Sequence, residues 1–224
     1  MLFFRRVVYL RQMKKGLIFD FDGVICDSEK FHHKAWKEVA AALGVEFGAD
    51  EYVPYQSTGR KKVISYLAEK AGATCSEDLF QRLSAVKSEA FARLTRDVGP
   101  SDMIAGAERF IRRAYASGAT LAVASSASTA RQMLRTLSLD AYFAAVVDGS
   151  DGYEKKPSPA VFIAAAEKIG LKPSECVVFE DSPAGVTGAK NGGFEVVGIG
   201  KNLANADFPV FDDFIGVEKT FFGE

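Results

Sequence analysis

Gly16-Leu17-Ile18-Phe19-Asp20-Phe21-Asp22-Gly23 runs a short apolar segment straight into two alternating acids and then a glycine. An apolar run without polar alternation predicts a strand covered on both faces, as in a parallel sheet, here over residues 17–19. The pattern recurs downstream. Residues 120–124 lead into Ser125-Ser126, and residues 176–179 lead into Glu180-Asp181-Ser182, while 142–147 and 195–199 read as two further strands. Helical patterns at 105–117, 129–138, 159–169 and 183–191 fill the gaps. The last two follow Ser158-Pro159 and Ser182-Pro183, a capping serine before a proline in the first turn. Strand and helix in alternation predict an α/β fold, a doubly wound parallel sheet.

Residues 29–97 break that rhythm and read as helix throughout. Phe31, Ala35, Trp36, Val39 and Leu43 form one apolar stripe, Val63, Ile64 and Leu67 a second, and Leu79, Leu83, Val86 and Phe91 a third. This predicts a helical insertion after the first strand, with hinges near Ser28 and Gly99-Pro100. The expected domains are an α/β core from 1–28 plus 98–224 and a helical cap from 29–97. A chain of 224 residues suits one α/β domain carrying a smaller one, and 48% hydrophobic residues with 18 Phe supply ample core.

Twenty-eight Lys and Arg against 29 Asp and Glu leave a formal net charge of −1, so the composition carries no footprint for nucleic acid or an anionic membrane. A small soluble ligand and a monomer are expected. Cys26, Cys75 and Cys176 are odd in number and far apart, which fits neither a disulfide framework nor a zinc site and points to a reducing compartment, the cytoplasm. No apolar run approaches the ~18 residues needed to span a bilayer. Residues 1–15 contain Arg5, Arg6 and Arg11 but no continuous apolar core of a secretory signal. Met13 reads as the natural start, with the preceding residues as an extension.

Ligand sites in open α/β sheets lie beyond the carboxyl ends of the strands, so the three polar strand ends should converge. Four carboxylates, Asp20, Asp22, Glu180 and Asp181, would meet there with the hydroxyls of Ser125 and Ser126. Such a cluster repels itself unless a divalent cation and a lysine neutralise it, and Lys156 follows the third strand by a short loop. Gly23 lets the backbone turn sharply and approach a ligand. Of two adjacent acids, one held ionised can serve as nucleophile while its neighbour carries a proton. An EF-hand is excluded, since its later acidic positions are missing. Taken singly, Asp20-x-Asp22 also reads as an acidic turn, Glu180-Asp181 as a helix cap and Lys156 as a solvated lysine. It is their placement at three strand ends that favours a site.

The segment from Gly16 to Glu29 resembles the opening motif of the haloacid dehalogenase superfamily. Val123-Ala124-Ser125-Ser126, Lys156-Pro157-Ser158-Pro159 and Val178 through Gly185 are similar to its second, third and fourth motifs, in order. The insertion is similar to the small helical cap of the β-phosphoglucomutase-like subfamily, which includes many sugar-phosphate phosphatases. An acid at Asp22, where dehalogenases proper lack one, favours phosphoryl chemistry.

The resemblance implies Asp20 as nucleophile, Asp22 as general acid and base, and Lys156 as a bridge between nucleophile and phosphate. It implies Mg²⁺ held by Asp20, the Asp22 carbonyl and Asp181 with Glu180 beside it, and phosphate oxygens held by Ser125 and Ser126 near Gly23. The substrate would be a small phosphorylated metabolite. His32 and Trp36 match the family's first cap helix. For His32 a hydrogen-bonding role toward substrate and an ordinary surface histidine both stay open, as do core and substrate contact for Trp36. Ser128-Thr129 stand where β-phosphoglucomutases carry a Lys-Asn pair, and Arg60, Lys61 and Lys62 stand near that family's cap arginine, so phosphatase is expected over mutase.

Overall fold

Period-two alternation along each strand decides where the layers of this protein meet. The computed structural model describes residues 15–56, 58–203 and 206–223. The N-terminal extension and its start at Met13 lie outside the described residues. In chain order the elements are β1 (Gly16–Phe19), α1 (Glu29–Ala42), α2 (Ala49–Tyr52), α3 (Arg60–Lys70), α4 (Glu77–Leu94), α5 (Ala107–Ala116), β2 (Thr120–Ala124), α6 (Ala130–Thr136) and β3 (Ala145–Val147). They continue with α7 (Ala160–Lys168), β4 (Cys176–Glu180), α8 (Pro183–Asn191), β5 (Glu195–Ile199), β6 (Val210–Phe211) and α9 (Phe214–Phe222). Two compact units result, one of Ser28–Val98 and one of the chain up to Asp27 together with Gly99 onward.

The α/β unit holds a six-stranded sheet in the order β3-β2-β1-β4-β5-β6 with every pairing parallel. Phe19 lies level with Val123 on β2 and with Phe179 on β4, so these strands end side by side. On one face Ile18, Ala122 and Val178 pack with Phe162 and Ala165 of α7 and Val186 and Ala189 of α8. The next residue along points the other way. Phe19 stacks on Phe179 at 4.8 Å between ring centres, and both meet Phe110 of α5 and Phe214 of α9. The buried Glu218 of α9 pairs with Arg109 and Arg113 of α5, fastening the C-terminal helix.

The differences from the sequence reading are local. The structure adds β6 and α9, a two-residue strand being below the length at which periodicity registers. The third strand is shorter than 142–147, since Asp140–Tyr142 form a 3₁₀ turn. Ser182 caps α8 as expected, accepting from Gly185 N at 3.1 Å. Ser158 does not occupy the equivalent place: Pro159 is the residue before α7, and Ser158 accepts only a long bond of 3.4 Å from Ala160 N. No helix among the described residues is long and apolar enough to cross a membrane.

In the helical unit Trp36, Val39, Phe47, Val63, Ile64, Leu67 and Leu83 form the core, so Trp36 is a packing residue. Ser76 opens α4 by accepting from Leu79 N. The buried stripe of α4 departs from expectation. Leu79 and Val86 are only partly buried, whereas Ser84 and Lys87 are buried beside Leu83, Ala90 and Phe91. Lys87 is 4% exposed, with Nζ 2.8 Å from His32 Nδ1 and 4.0 Å from the Phe91 ring centre. His32 in turn stacks on Phe91 at 4.1 Å. Burial, then the positive charges of Lys87 and Arg60, push the His32 imidazole down to about 3.

Two outcomes follow from this packing. Phe110 is fully buried against five other phenylalanines, so Phe110→Ala should lower unfolding free energy by about 3–5 kcal/mol in a denaturant titration. His32 stays neutral in the fold well below the pH at which the unfolded chain takes up its proton. At this site the unfolded state therefore binds more protons between about pH 6.5 and 3, and the contribution of His32 to stability falls as pH falls through that window, by up to about 1.4 kcal/mol per unit, against the opposite slope of the raised Asp20 and Asp181. His32→Gln should remove that contribution, so that the stability difference between the unaltered protein and the variant shrinks as pH falls from 7 to 5 in thermal unfolding.

Candidate active site

The site begins where β1 runs out of apolar residues. Asp20 N still donates to Phe179 O at 2.9 Å, which extends the β1–β4 ladder by one residue and fixes the carboxylate at the strand end. Phe21 is fully buried and anchors the turn by accepting from Ile25 N and Cys26 N. Asp22 and Gly23 are half-buried in the turn between these anchors. Gly23 has φ +77°, and a Cβ there would lie 2.3 Å from Asp181 Oδ2, so left-handed backbone and close approach both demand glycine.

Glu180 closes β4 with no exposed surface, and Asp181 and Ser182 follow. Lys156 Nζ lies 2.8 Å from Asp20 Oδ1 and 2.8 Å from Glu180 Oε1, with its side chain 8% exposed. Glu180 is otherwise fully engaged. Ser182 Oγ, 3.3 Å from Oε1 and 3.2 Å from Oε2, donates to this carboxylate, and Oε2 accepts from Asp181 N at 2.5 Å and Ser182 N at 2.8 Å. Four donors thus surround the carboxylate, which suits Glu180 to orienting Lys156 more than to receiving a further ligand.

Carboxylate oxygens of Asp20, Glu180 and Asp181 lie within 4.8 Å of one another, and Asp22 is the fourth acid nearby. One lysine does not balance them. Burial, only partly offset by Lys156, raises Asp20 to about 7, with Glu180 and Asp22 adding to the rise. Burial, then Glu180 and Asp20, raises Asp181 to about 9. Lys156 itself is held charged, its own burial being outweighed by Asp20 and Glu180. Buried oxygen donors this short of positive charge fit a hard divalent cation, which would restore both acids to their ionised forms.

Directly after the neighbouring strand β2, Ser125 is 1% exposed and its Oγ accepts from Ala127 N at 3.0 Å. Ser125 N donates to Val147 O at 2.9 Å, while Ser126 is at least partly open to solvent. Beside them a crevice of about 20 Å³, the size of one water, is rimmed by Asp148, Gly149, Tyr153 and Glu154. Thr129 Oγ1, at the end of this loop, is buried with no hydrogen-bond partner among the described residues.

The structure therefore brings Asp20, Lys156, Glu180 and Asp181 together, with Asp22 and Gly23 in the adjoining turn and Ser125 and Ser126 at the next strand end. The acids whose carboxylate oxygens lie close enough to share an ion are Asp20, Glu180 and Asp181, and Asp22 is outside that group, its part in the sequence reading being its backbone carbonyl. His32 belongs to the helical unit, bonded to Lys87. Sequence reasoning missed Lys87, because one lysine at a helical position is indistinguishable from a solvated one. It missed the Asp148-Gly149 turn for want of any local motif.

A family model described as haloacid dehalogenase-like hydrolase matches residues 14–193. The chain is 30% identical over 202 residues to β-phosphoglucomutase of Bacillus subtilis, covering 88% of each. It is 31% identical to the fructose-1-phosphate phosphatase YqaB of Escherichia coli, covering 82% of this chain and 95% of that one. The solved β-phosphoglucomutase of Clostridium difficile superimposes with a TM-score of 0.77 at 23% identity, over 94% of this chain and 98% of the other, a likeness of fold. With its motifs at the strand ends and these relatives along most of its length, the chain belongs to the haloacid dehalogenase-like hydrolases, in the β-phosphoglucomutase-like branch of phosphatases and phosphoglucomutases.

Proposed function

We propose that this protein is a Mg²⁺-dependent phosphatase of small phosphorylated metabolites, sugar phosphates foremost, acting through an aspartyl-phosphate on Asp20. The observation that carries the reading is Lys156 enclosed between Asp20 and Glu180, 2.8 Å from each, with Asp181 alongside. A nucleophilic carboxylate must stay ionised although buried, and must approach a phosphate of like charge. Lys156 answers part of that need, and Glu180 holds Lys156 in place. Asp20, the Asp22 carbonyl and Asp181 would hold the ion, which when bound supplies the remaining positive charge for carboxylates and phosphate alike.

The α/β unit carries every group the chemistry requires, and we assign it as the catalytic core. Asp20 attacks phosphorus and the bond to the ester oxygen breaks. Asp22 hands a proton to that departing oxygen, which leaves as an alcohol. Asp22, now a carboxylate, takes a proton from the water that attacks phosphorus next, and the Asp20–phosphorus bond breaks to give inorganic phosphate. Throughout, the Ser125 hydroxyl and the Ser126 amide donate to the phosphate oxygens, with Lys156 toward the same group. Monoester hydrolysis needs accelerations up to ~10²¹, and splitting it into two displacements with charge neutralised at each is the physical route to that figure. The odd number and wide spacing of Cys26, Cys75 and Cys176 support a reducing, cytoplasmic setting.

Relatives with both activities stand at nearly equal identity, so the choice of phosphatase rests on residues. A mutase must retain a bisphosphate between two half-reactions and needs a second phosphate site. Ser128 and Thr129 offer hydroxyls where a charged contact would serve, and a hydrogen bond to a charged group is worth about 1.5–3 kcal/mol. Arg60 is already engaged within the helical unit, its Nη1 donating to Ser84 O at 3.1 Å and Ser88 Oγ at 3.0 Å.

Asp20→Asn should cut kcat on p-nitrophenyl phosphate by roughly 10⁴-fold or more while the circular dichroism spectrum is kept. Excess EDTA should have the same effect on the unaltered protein, and turnover that survives either treatment would overturn the mechanism. Supplied with β-glucose 1-phosphate and a trace of the 1,6-bisphosphate, the protein should release inorganic phosphate faster than it forms glucose 6-phosphate. The opposite ratio would make it a mutase and promote Arg60 and Lys61 to phosphate ligands.

A further inference from the structure

An arginine in the first turn of a short helix is ordinarily solvated, yet both terminal nitrogens of Arg131 are committed. Its Nη1 donates to Asp148 Oδ1 at 2.5 Å and to Ser150 Oγ at 3.0 Å, and its Nη2 to Val146 O at 2.7 Å and Asp151 Oδ2 at 2.6 Å. Its backbone N also points at Asp148 Oδ2 at 3.4 Å. The Asp148 side chain is 1% exposed and accepts from Ser150 N and Ser150 Oγ as well. A carboxylate buried to that degree is costly without an ionic partner. Only the planar fork of arginine reaches a carbonyl and two carboxylates at once.

What this clamp closes is the turn after β3, and that turn is the seat of the loop from Ser125 to Thr129. Gly149 N donates to Ala127 O at 3.1 Å, and Ser125 N to Val147 O at 2.9 Å. A Cβ on Gly149 would stand 2.6 Å from Ser126 O and 3.0 Å from Ser128 N, so the two backbones touch with no room for a side chain. The loop's own polar groups, the Ser125 hydroxyl and the Ser126 amide, are thus aimed by backbone resting on the Asp148-Gly149 turn.

We propose that Arg131, through Asp148, is a positioning residue that holds the phosphate-binding loop Ser125–Thr129 in register with the turn after β3. The proposal rests on the reading of Ser125 and Ser126 as phosphate ligands. It differs from a plain surface ion pair because both partners flank that loop, Arg131 two residues after Thr129 and Asp148 one residue before Gly149. Loss of the clamp should displace phosphate donors without disturbing Asp20 or Asp181, which stand on other strands.

The test compares Arg131→Met, Arg131→Lys and the unaltered protein in three readouts: kcat and KM on p-nitrophenyl phosphate, the inhibition constant of inorganic phosphate, and the Mg²⁺ concentration for half-activation. Arg131→Met should raise KM and the phosphate inhibition constant together by roughly tenfold or more, misplacement of about 1 Å being enough for up to a hundredfold loss. Half-activation by Mg²⁺ should stay within about twofold, since Arg131 touches none of the carboxylates that would supply oxygen ligands to the ion. Arg131→Lys should recover part of the loss, keeping a charge beside Asp148 but not the fork, and it decides the matter if the methionine variant does not fold. A lower melting temperature with unchanged phosphate inhibition would reduce the clamp to a structural ion pair and overturn the proposal. If the unaltered protein neither hydrolyses the ester nor is inhibited by phosphate, the phosphatase reading falls and the proposal with it. If it does both and loses turnover in Asp20→Asn, while the Arg131 variants keep their inhibition constants, the proposal alone is wrong.

Discussion

Lys156 sits almost without solvent between the carboxylates of Asp20 and Glu180, and the neighbouring structure is organised by the electrostatic cost of that burial. Taking an ammonium and two carboxylates out of water is repaid only when geometry and hydrogen bonding are both good. Glu180 meets that condition by accepting from the amides of Asp181 and Ser182 as well as from the lysine. Ser182, whose amide donates to Glu180, also opens α8 by accepting from Gly185 N, so the start of a helix adjoins the side chain that aims the lysine. The nearby Asp181 is left short of positive charge, which makes the cluster a place for a cation.

The charged strand ends stand on an aromatic floor. Phe19 and Phe179 precede Asp20 and Glu180 directly and stack on each other, so the packing that buries the rings also sets the spacing of the acids. Because β1, β2 and β4 are parallel and level, their polar ends emerge on the same side of the sheet. Phe110, Phe214 and Phe221 complete the floor from α5 and α9. A rigid, apolar base is what allows buried charges to keep fixed positions.

The helical unit solves a related problem with other means. Lys87 lies on the buried stripe of α4, where an aliphatic residue would be expected, and is accommodated by the neutral ring of His32 and the faces of Phe91 and Trp36. Its long apolar stem suits such a place, and its head meets an acceptor and two aromatic faces. Here one partner is a neutral imidazole, and burial with like charge nearby keeps that imidazole neutral.

By itself the sequence determined the parallel sheet, because each strand is a short apolar run and the site-bearing ones end abruptly in polar residues. It determined the acids and hydroxyls as well, since Asp20, Asp22, Ser125, Glu180 and Asp181 follow directly on strand signals that one window of residues contains. It determined the helical insertion through its apolar stripes. Tertiary structure alone decided that Glu180 would orient Lys156, that Lys87 would be buried against His32, and that Arg131 would close a turn beginning seventeen residues later. It also added β6, too short to carry a periodic signal, whereas α9, with Phe214, Val217 and Phe221 at helical spacing, was legible locally. The division has one physical cause. Burial patterns repeat along the chain and can be read locally, whereas the partner of a buried charge is chosen by which segments pack together, and no local window of sequence contains both.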